Sequence, residues 1–216
     1  MNVVLNTLLI LSIAVSAIIA FIRRKKTDPS FKPFARLLTI TLIFEIVSTS
    51  LRNAGFYDAY NYNDYAQLEF LIITWQFRRW GLFRYKQWLY YTLQVLCIIG
   101  SATEKLLTPH DRYFSYFIIS HALVIILMSI AQVNLRIVIL SRNFLRDPIV
   151  LICIGLVIYF TWMLLIETFW MYGLSKTQPF RVAVQDILGF IHLLTNTLFV
   201  FATIWIPLKP RYIMQS

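Results

Sequence analysis

The sequence predicts an all-α polytopic membrane protein: a single seven-transmembrane-helix bundle over residues 1–216, N-terminus outside and C-terminus cytoplasmic. Three observations carry that prediction. Hydrophobic residues make up 59% of the chain and charged residues only 14%, whereas an average soluble domain is roughly half apolar and about a quarter charged. So little charge does not cover a soluble surface, which excludes a disordered protein, a disulfide scaffold and an ordinary cytosolic enzyme. Seven stretches approach the roughly 20 apolar residues that a spanning helix needs. The basic residues alternate in number from one connection to the next.

The first stretch, residues 2–22, is followed directly by Arg23-Arg24-Lys25-Lys26 and preceded by no Lys or Arg. That order is the reverse of a secretory leader, so it reads as a retained helix with its N-terminus outside. The second, 35–52, carries Thr41, Glu45, Ser48, Thr49 and Arg52 at three- and four-residue spacing, a single polar stripe. The third, 62–77, has Glu69 and Gln76 on one face and stops at Arg78-Arg79; the fourth is 86–103. These two carry the most polar residues. The fifth, 112–135, contains His121 and ends near Gln132 and Asn134. The sixth, 148–172, opens on Asp147-Pro148. The seventh, 180–207, places Gln185, Gly189, His192 and Asn196 on one face, where a small residue at 189 suits close helix approach. All seven prolines fall at helix ends or in connections, and Gly100, Gly155 and Gly189 are the intramembrane glycines. Continuous helices fit this pattern better than the broken helices of many transporters.

With the N-terminus outside, fifteen of the 20 Lys and Arg fall on inner connections and five on outer ones. The net charge of +10 is therefore a positive-inside signal that meets anionic lipid headgroups, and no nucleic-acid partner is expected. Tyr57, Tyr60, Tyr62 and Tyr65 crowd the outer end of the second and third helices; Trp80, Tyr85, Trp88, Tyr90 and Tyr91 sit near the inner end of the third and fourth. Such rings favour a membrane interface, being apolar in body and wet at the tip. Cys97 and Cys153 lie in apolar runs as packing residues, with no metal-binding spacing around them.

Ionisable groups inside a bilayer are costly and are functional candidates by default. Here they are Glu45, Glu69, His121, Glu167, His192 and, at the rim, Asp186. At 1.5 Å per residue, Glu45 and Glu69 lie roughly 10 Å below the outer ends of their helices, His121 and His192 roughly 13–18 Å, and Glu167 roughly 8 Å. All favour the outer leaflet. This points to a polar pocket open to the outside, with Glu45, Glu69, His121, Glu167, His192 and Asn196 as its ligand-binding residues. Plainer roles stand beside that one: Glu45 pairing with Arg52 or a histidine, Glu69 protonated and hydrogen-bonded between helices, Asn196 and Gln94 as interhelical ties. No catalytic residue is assigned. No metal site is assigned either, because HxxxH and HExxH are absent, although Glu45, Glu69, His121 and His192 would supply ligands if their helices converged. No cofactor is predicted; retinal is excluded because residues 180–207 contain no lysine. The expected function is a sensor or receptor-like module in the inner membrane, with the lipid bilayer, a small molecule from the outer side and a cytoplasmic or membrane signalling protein as partners. A small-solute or proton-coupled transporter or channel is the alternative, and a metal-dependent intramembrane enzyme a further one.

The chain resembles a group of small seven-helix integral membrane proteins common in Bacteroidota that has no assigned activity. The resemblance rests on Glu45 in helix two, then Asn61-Tyr62-Asn63-Asp64-Tyr65 and Glu69-Phe70, then Asp147-Pro148 with Gly155 and Tyr159, and Asn196 ahead of Phe199, Phe201 and Trp205. It spans the whole chain and implies the seven-helix fold. His121 and His192 lie outside its pattern. The layout is also similar to the seven-helix sensory modules fused to bacterial histidine kinases, a likeness at the level of fold.

Overall fold

A computed structural model describes residue 9 and residues 12–55, 59–108, 115–139, 146–172 and 177–208. Of the positions named above, the first span before Ser12 (Leu9 apart) and Tyr57 lie outside the described residues, as do the side chains of Tyr60, Asn61 and Gln185; so do Pro109 and Pro210 of the seven prolines, and Arg112, Arg142, Lys176, Lys209 and Arg211 of the 20 basic residues.

Seven α-helices are described: α1 Ile13–Arg23, α2 Lys32–Asn53, α3 Ala59–Arg79, α4 Gln87–Leu107, α5 Ser115–Ile139, α6 Pro148–Met171 and α7 Gln178–Trp205. A 3-10 turn, Pro29–Phe31, leads into α2. The chain is all-α, and four of its helices (α2 with its leading turn, α5, α6 and α7) are long and apolar enough to cross a membrane. Several boundaries differ from the expected ones. α3 starts earlier, at Ala59, and α4 runs on to Leu107, carrying Glu104 and Lys105 inside its last helical turns. An apolar window ends at the first charge; a helix ends where its backbone groups find other partners.

Those partners are identifiable. Asp147 Oδ1 accepts from Ile149 N at 2.7 Å, and Pro148 fills the first helical position, where a missing N–H costs nothing. After α3, Leu82 N bonds to Phe77 O and Gly81 N to Arg78 O, both at 3.1 Å. This double closure needs a left-handed residue, and Gly81 supplies it with φ +88°.

Side-chain contacts fix the direction of each helix. Gln76 meets Ser30 and Phe34 while Tyr65 meets Thr41, so α2 and α3 run antiparallel. Thr74 with Gln94 and Arg78 with Tyr91 set α3 against α4 in the same way. Glu104 reaches the start of α5. Ser115 with Glu167 and Arg136 with Asp147 (3.7 Å) oppose α5 and α6. Tyr159 with His192 and Phe169 with Phe180 oppose α6 and α7. The bundle closes between α1 and α7, which run parallel: Asn196 bonds Ser12 near one end, and Arg23 bonds the last carbonyls of α7 near the other. α4 stands outside this ring, against α3 and α5.

α6 is the central post, buried along most of its length. It approaches α7 at Gly155, where a Cβ would lie 2.7 Å from the buried Phe199 ring, so glycine is what permits the spacing. The alternating directions also sort the charges. Arg23 to Lys26, Lys32, Arg36, Arg78, Arg79, Arg84, Lys86, Arg136 and Arg146 gather at one end; Arg52, Lys105 and Arg181 lie toward the other.

Candidate functional site

The polar residues predicted to share a pocket occupy several places in the bundle. The largest gathering is built on α3. Tyr65 and Glu69 are one helical turn apart, so they share a face. Both are buried, and the Tyr65 hydroxyl donates to Glu69 Oε1 at 3.0 Å. Thr41 Oγ1 on α2 lies 2.8 Å from the same hydroxyl and 2.9 Å from the Leu37 carbonyl. Each hydroxyl has one proton. Thr41 gives its proton to the Leu37 carbonyl, so the Tyr65 proton is the one within reach of both Glu69 and Thr41, and Tyr65 is the shared donor of the three. Phe44 stacks on the Tyr65 ring with centroids 4.0 Å apart and holds it in place.

Glu45 is half-buried one turn beyond Thr41, and interacts electrostatically with Tyr65, Glu69 and Tyr159. Tyr159 enters from α6, and its ring meets the half-buried His192 of α7 edge-on at 5.3 Å. Glu45, Glu69 and His192 are thus brought together around two tyrosines by α2, α3, α6 and α7. The set combines two carboxyl groups, two phenols, an imidazole and a threonine hydroxyl. It is equipped to hold or exchange a proton and to hydrogen-bond a small polar molecule.

His121 lies on the far side of α3 and α6 from this cluster. Its ring stacks on Phe117 (centroids 5.4 Å apart) and meets Phe70 and Phe160 edge-on. Nδ1 is 3.3 Å from the Phe117 carbonyl, and Nε2 is buried with no hydrogen-bond partner. His121 borders a cavity of about 730 Å³ between α3, α4 and α5. Glu167 is buried where α6 meets the start of α5, and its Oε2 accepts from Ser115 Oγ at 3.1 Å. Glu104 accepts from Tyr116 N (3.1 Å) and Phe117 N (2.7 Å), so its carboxyl group serves backbone donors that the first turn of α5 otherwise leaves unsatisfied. Asn196 is buried and donates from Nδ2 to Ser12 Oγ at 2.8 Å, tying α7 to α1. Among the described residues, no group of three or more His, Cys, Asp or Glu is placed to hold a metal ion.

Several participants were not singled out from the sequence as site residues. Tyr65 reads as an interface aromatic, yet it is only 7% exposed; its four-residue spacing from Glu69 was the available signal. Tyr159 sits in a continuous apolar run and enters the sequence reading only through the Gly155–Tyr159 pattern of the resemblance, which assigns it no role. Glu104 meets Tyr116 and Phe117 across a helix connection that no periodicity describes. Compared with protein-family models, curated proteins and solved structures, the chain matches none.

Proposed function

We propose that the chain is a seven-span sensor or receptor-like protein of the inner membrane, N-terminus outside, which takes up a small polar ligand or proton from the outer side and passes the change to a separate partner protein. The observation that carries this is the Glu45–Glu69–Tyr65–Tyr159–His192 cluster, to which α2, α3, α6 and α7 all contribute. A ligand held there bridges the α2–α3 pair and the α6–α7 pair. Any shift between the pairs is carried by continuous helices to the basic end, where short, positively charged connections suit a docked partner. Burial strengthens each polar contact in the cluster and makes its loss costly, which suits a switch.

Two measurements test the reading. Proteoliposomes of the purified protein, loaded with a pH-sensitive dye and given a proton gradient, are expected to hold that gradient as protein-free vesicles do. Affinity purification from the native membrane is expected to recover a discrete signalling partner whose yield changes with Glu69→Gln. Proton flux that disappears in Glu69→Gln overturns the sensor reading in favour of transport.

A further inference from the structure

The cavity between α3, α4 and α5 is separate from the Glu69 cluster, and the reading above gives it no task. It runs along α4 from Leu93 to Thr108, roughly 22 Å at 1.5 Å per residue. Its volume of about 730 Å³ is within the range of small-molecule sites. It is open on the outside of the bundle, since three of its lining residues, Leu96 (58%), Leu107 (79%) and Tyr116 (68%), are exposed on the apolar flank of α4 and α5. Its polarity is graded. The midplane part is walled by Phe70, Leu93, Cys97 and Val124, and the outer part carries Glu104, Thr103 and Thr108.

The outer polar groups have a definite hydrogen-bonding character. Thr103 donates its proton to the Ile99 carbonyl at 2.8 Å, and Ser120 donates to the Tyr116 carbonyl at 2.7 Å. What they offer a ligand is oxygen lone pairs, as does the Glu104 carboxylate. Midway along the slot, one residue beyond Ser120, the buried His121 Nε2 has no hydrogen-bond partner. The slot therefore favours a long apolar chain with a proton-donating head and disfavours an anionic one.

We propose that this slot binds a single-chain lipid with a neutral hydroxyl head, of the monoacylglycerol type, entering sideways from the outer leaflet with its head at Glu104 and Thr103 and its chain running past His121 toward Leu93 and Val124. The inference rests on the chain's crossing a bilayer, not on the Glu69 cluster's being a sensor. Its failure leaves that reading untouched, and the proteoliposome result does not bear on it.

The test uses the full chain in nanodiscs with monopalmitoylglycerol carrying a photoactivatable diazirine in its acyl chain. Cross-linked peptides are expected from α4 and α5 around Leu93, Cys97 and Val124. Gly100→Leu is expected to lower that labelling by roughly tenfold or more. The first carbon of the new side chain meets nothing closer than Phe117 at 3.8 Å, so the fold tolerates it while the remainder fills the slot. Val124→Phe fills the slot from α5 and serves if Gly100→Leu does not accumulate. Unlabelled monopalmitoylglycerol is expected to compete much better than palmitate. Labelling spread over the whole apolar surface, labelling indifferent to both variants, or equal competition by palmitate overturns the proposal.

Discussion

Tyr65 shows how a residue's role depends on what its hydroxyl reaches. By sequence it belongs with the interface aromatics; in the bundle its hydroxyl is the donor for Glu69 and its ring is stacked on Phe44. Two magnitudes separate it from a simple interhelical tie. Hydrogen bonds between membrane helices average about 0.6 kcal/mol, which is the order expected for Asn196 with Ser12. Removing a donor from a buried acceptor costs about 1–3 kcal/mol, because the orphaned oxygen is left desolvated. Tyr65→Phe is therefore expected to destabilise by about 1–3 kcal/mol. Glu69→Gln keeps an acceptor oxygen for Tyr65 and is expected to cost less. Denaturant unfolding of both variants in the same detergent micelle checks the order; a larger loss for Glu69→Gln shows that the carboxyl's charge, rather than this bond, dominates. The candidate site was legible to the extent that charge stands out against apolar runs: Glu45, Glu69 and His192 announce themselves. Tyr65 and Tyr159 do not, because a tyrosine in a membrane helix reads the same whether it faces headgroups or the interior.

At the scale of the element, the run Arg23–Lys26 reads from sequence as a topology signal alone, yet its first member is also structural. Arg23 donates to the carbonyls of Thr203, Ile204 (2.6 Å) and Ile206 (3.2 Å), the groups that α7 leaves unsatisfied at its C-terminus. A cation there also faces the negative end of the helix dipole. Lys25, two residues on, is exposed. Arg23→Gln is expected to destabilise by about 1–2 kcal/mol, discounted for its half-exposed position; Lys25→Gln is expected to stay within about 0.5 kcal/mol of the parent. Thermal unfolding of the two variants beside the parent protein measures the contrast, and equal effects would show that the capping bonds contribute nothing net. Sequence indicates the charge of these residues but not which one the following turn aims back at α7, since that depends on Thr27 and Asp28 meeting the chain after α7 through the Thr27–Leu208 bridge and the Asp28 N to Pro207 O bond.

The whole molecule shows why hydropathy identifies some helices strongly and others weakly. α5, α6 and α7 are apolar enough on average to stand out, whereas α3 and α4 fall below that standard. The shortfall on α3 is interior: Asn63, Glu69, Thr74 and Gln76 are all buried. Gln76 bonds Phe34 N and Ser30 O at 2.7 Å each, and Thr74 is bonded by Gln94 from α4. A window average counts these residues as water-loving, although the bundle satisfies them. Outward, α4 presents Val95, Leu96, Ile98 and Ile99, each about half-exposed. Each helix rises roughly 31 Å over its 21 residues, which matches a hydrocarbon core of about 30 Å. Both are therefore expected to cross the membrane, with the basic end inside. A cysteine-free background carrying Tyr85→Cys or Thr108→Cys, one at each end of α4, tests this directly. An impermeant maleimide is expected to label Thr108→Cys on intact cells and Tyr85→Cys, where the parent side chain is 92% exposed, only after permeabilisation. Labelling of both positions from the same side would mean that α4 does not span, and the alternation of charge between the two ends would then need another cause than the positive-inside rule.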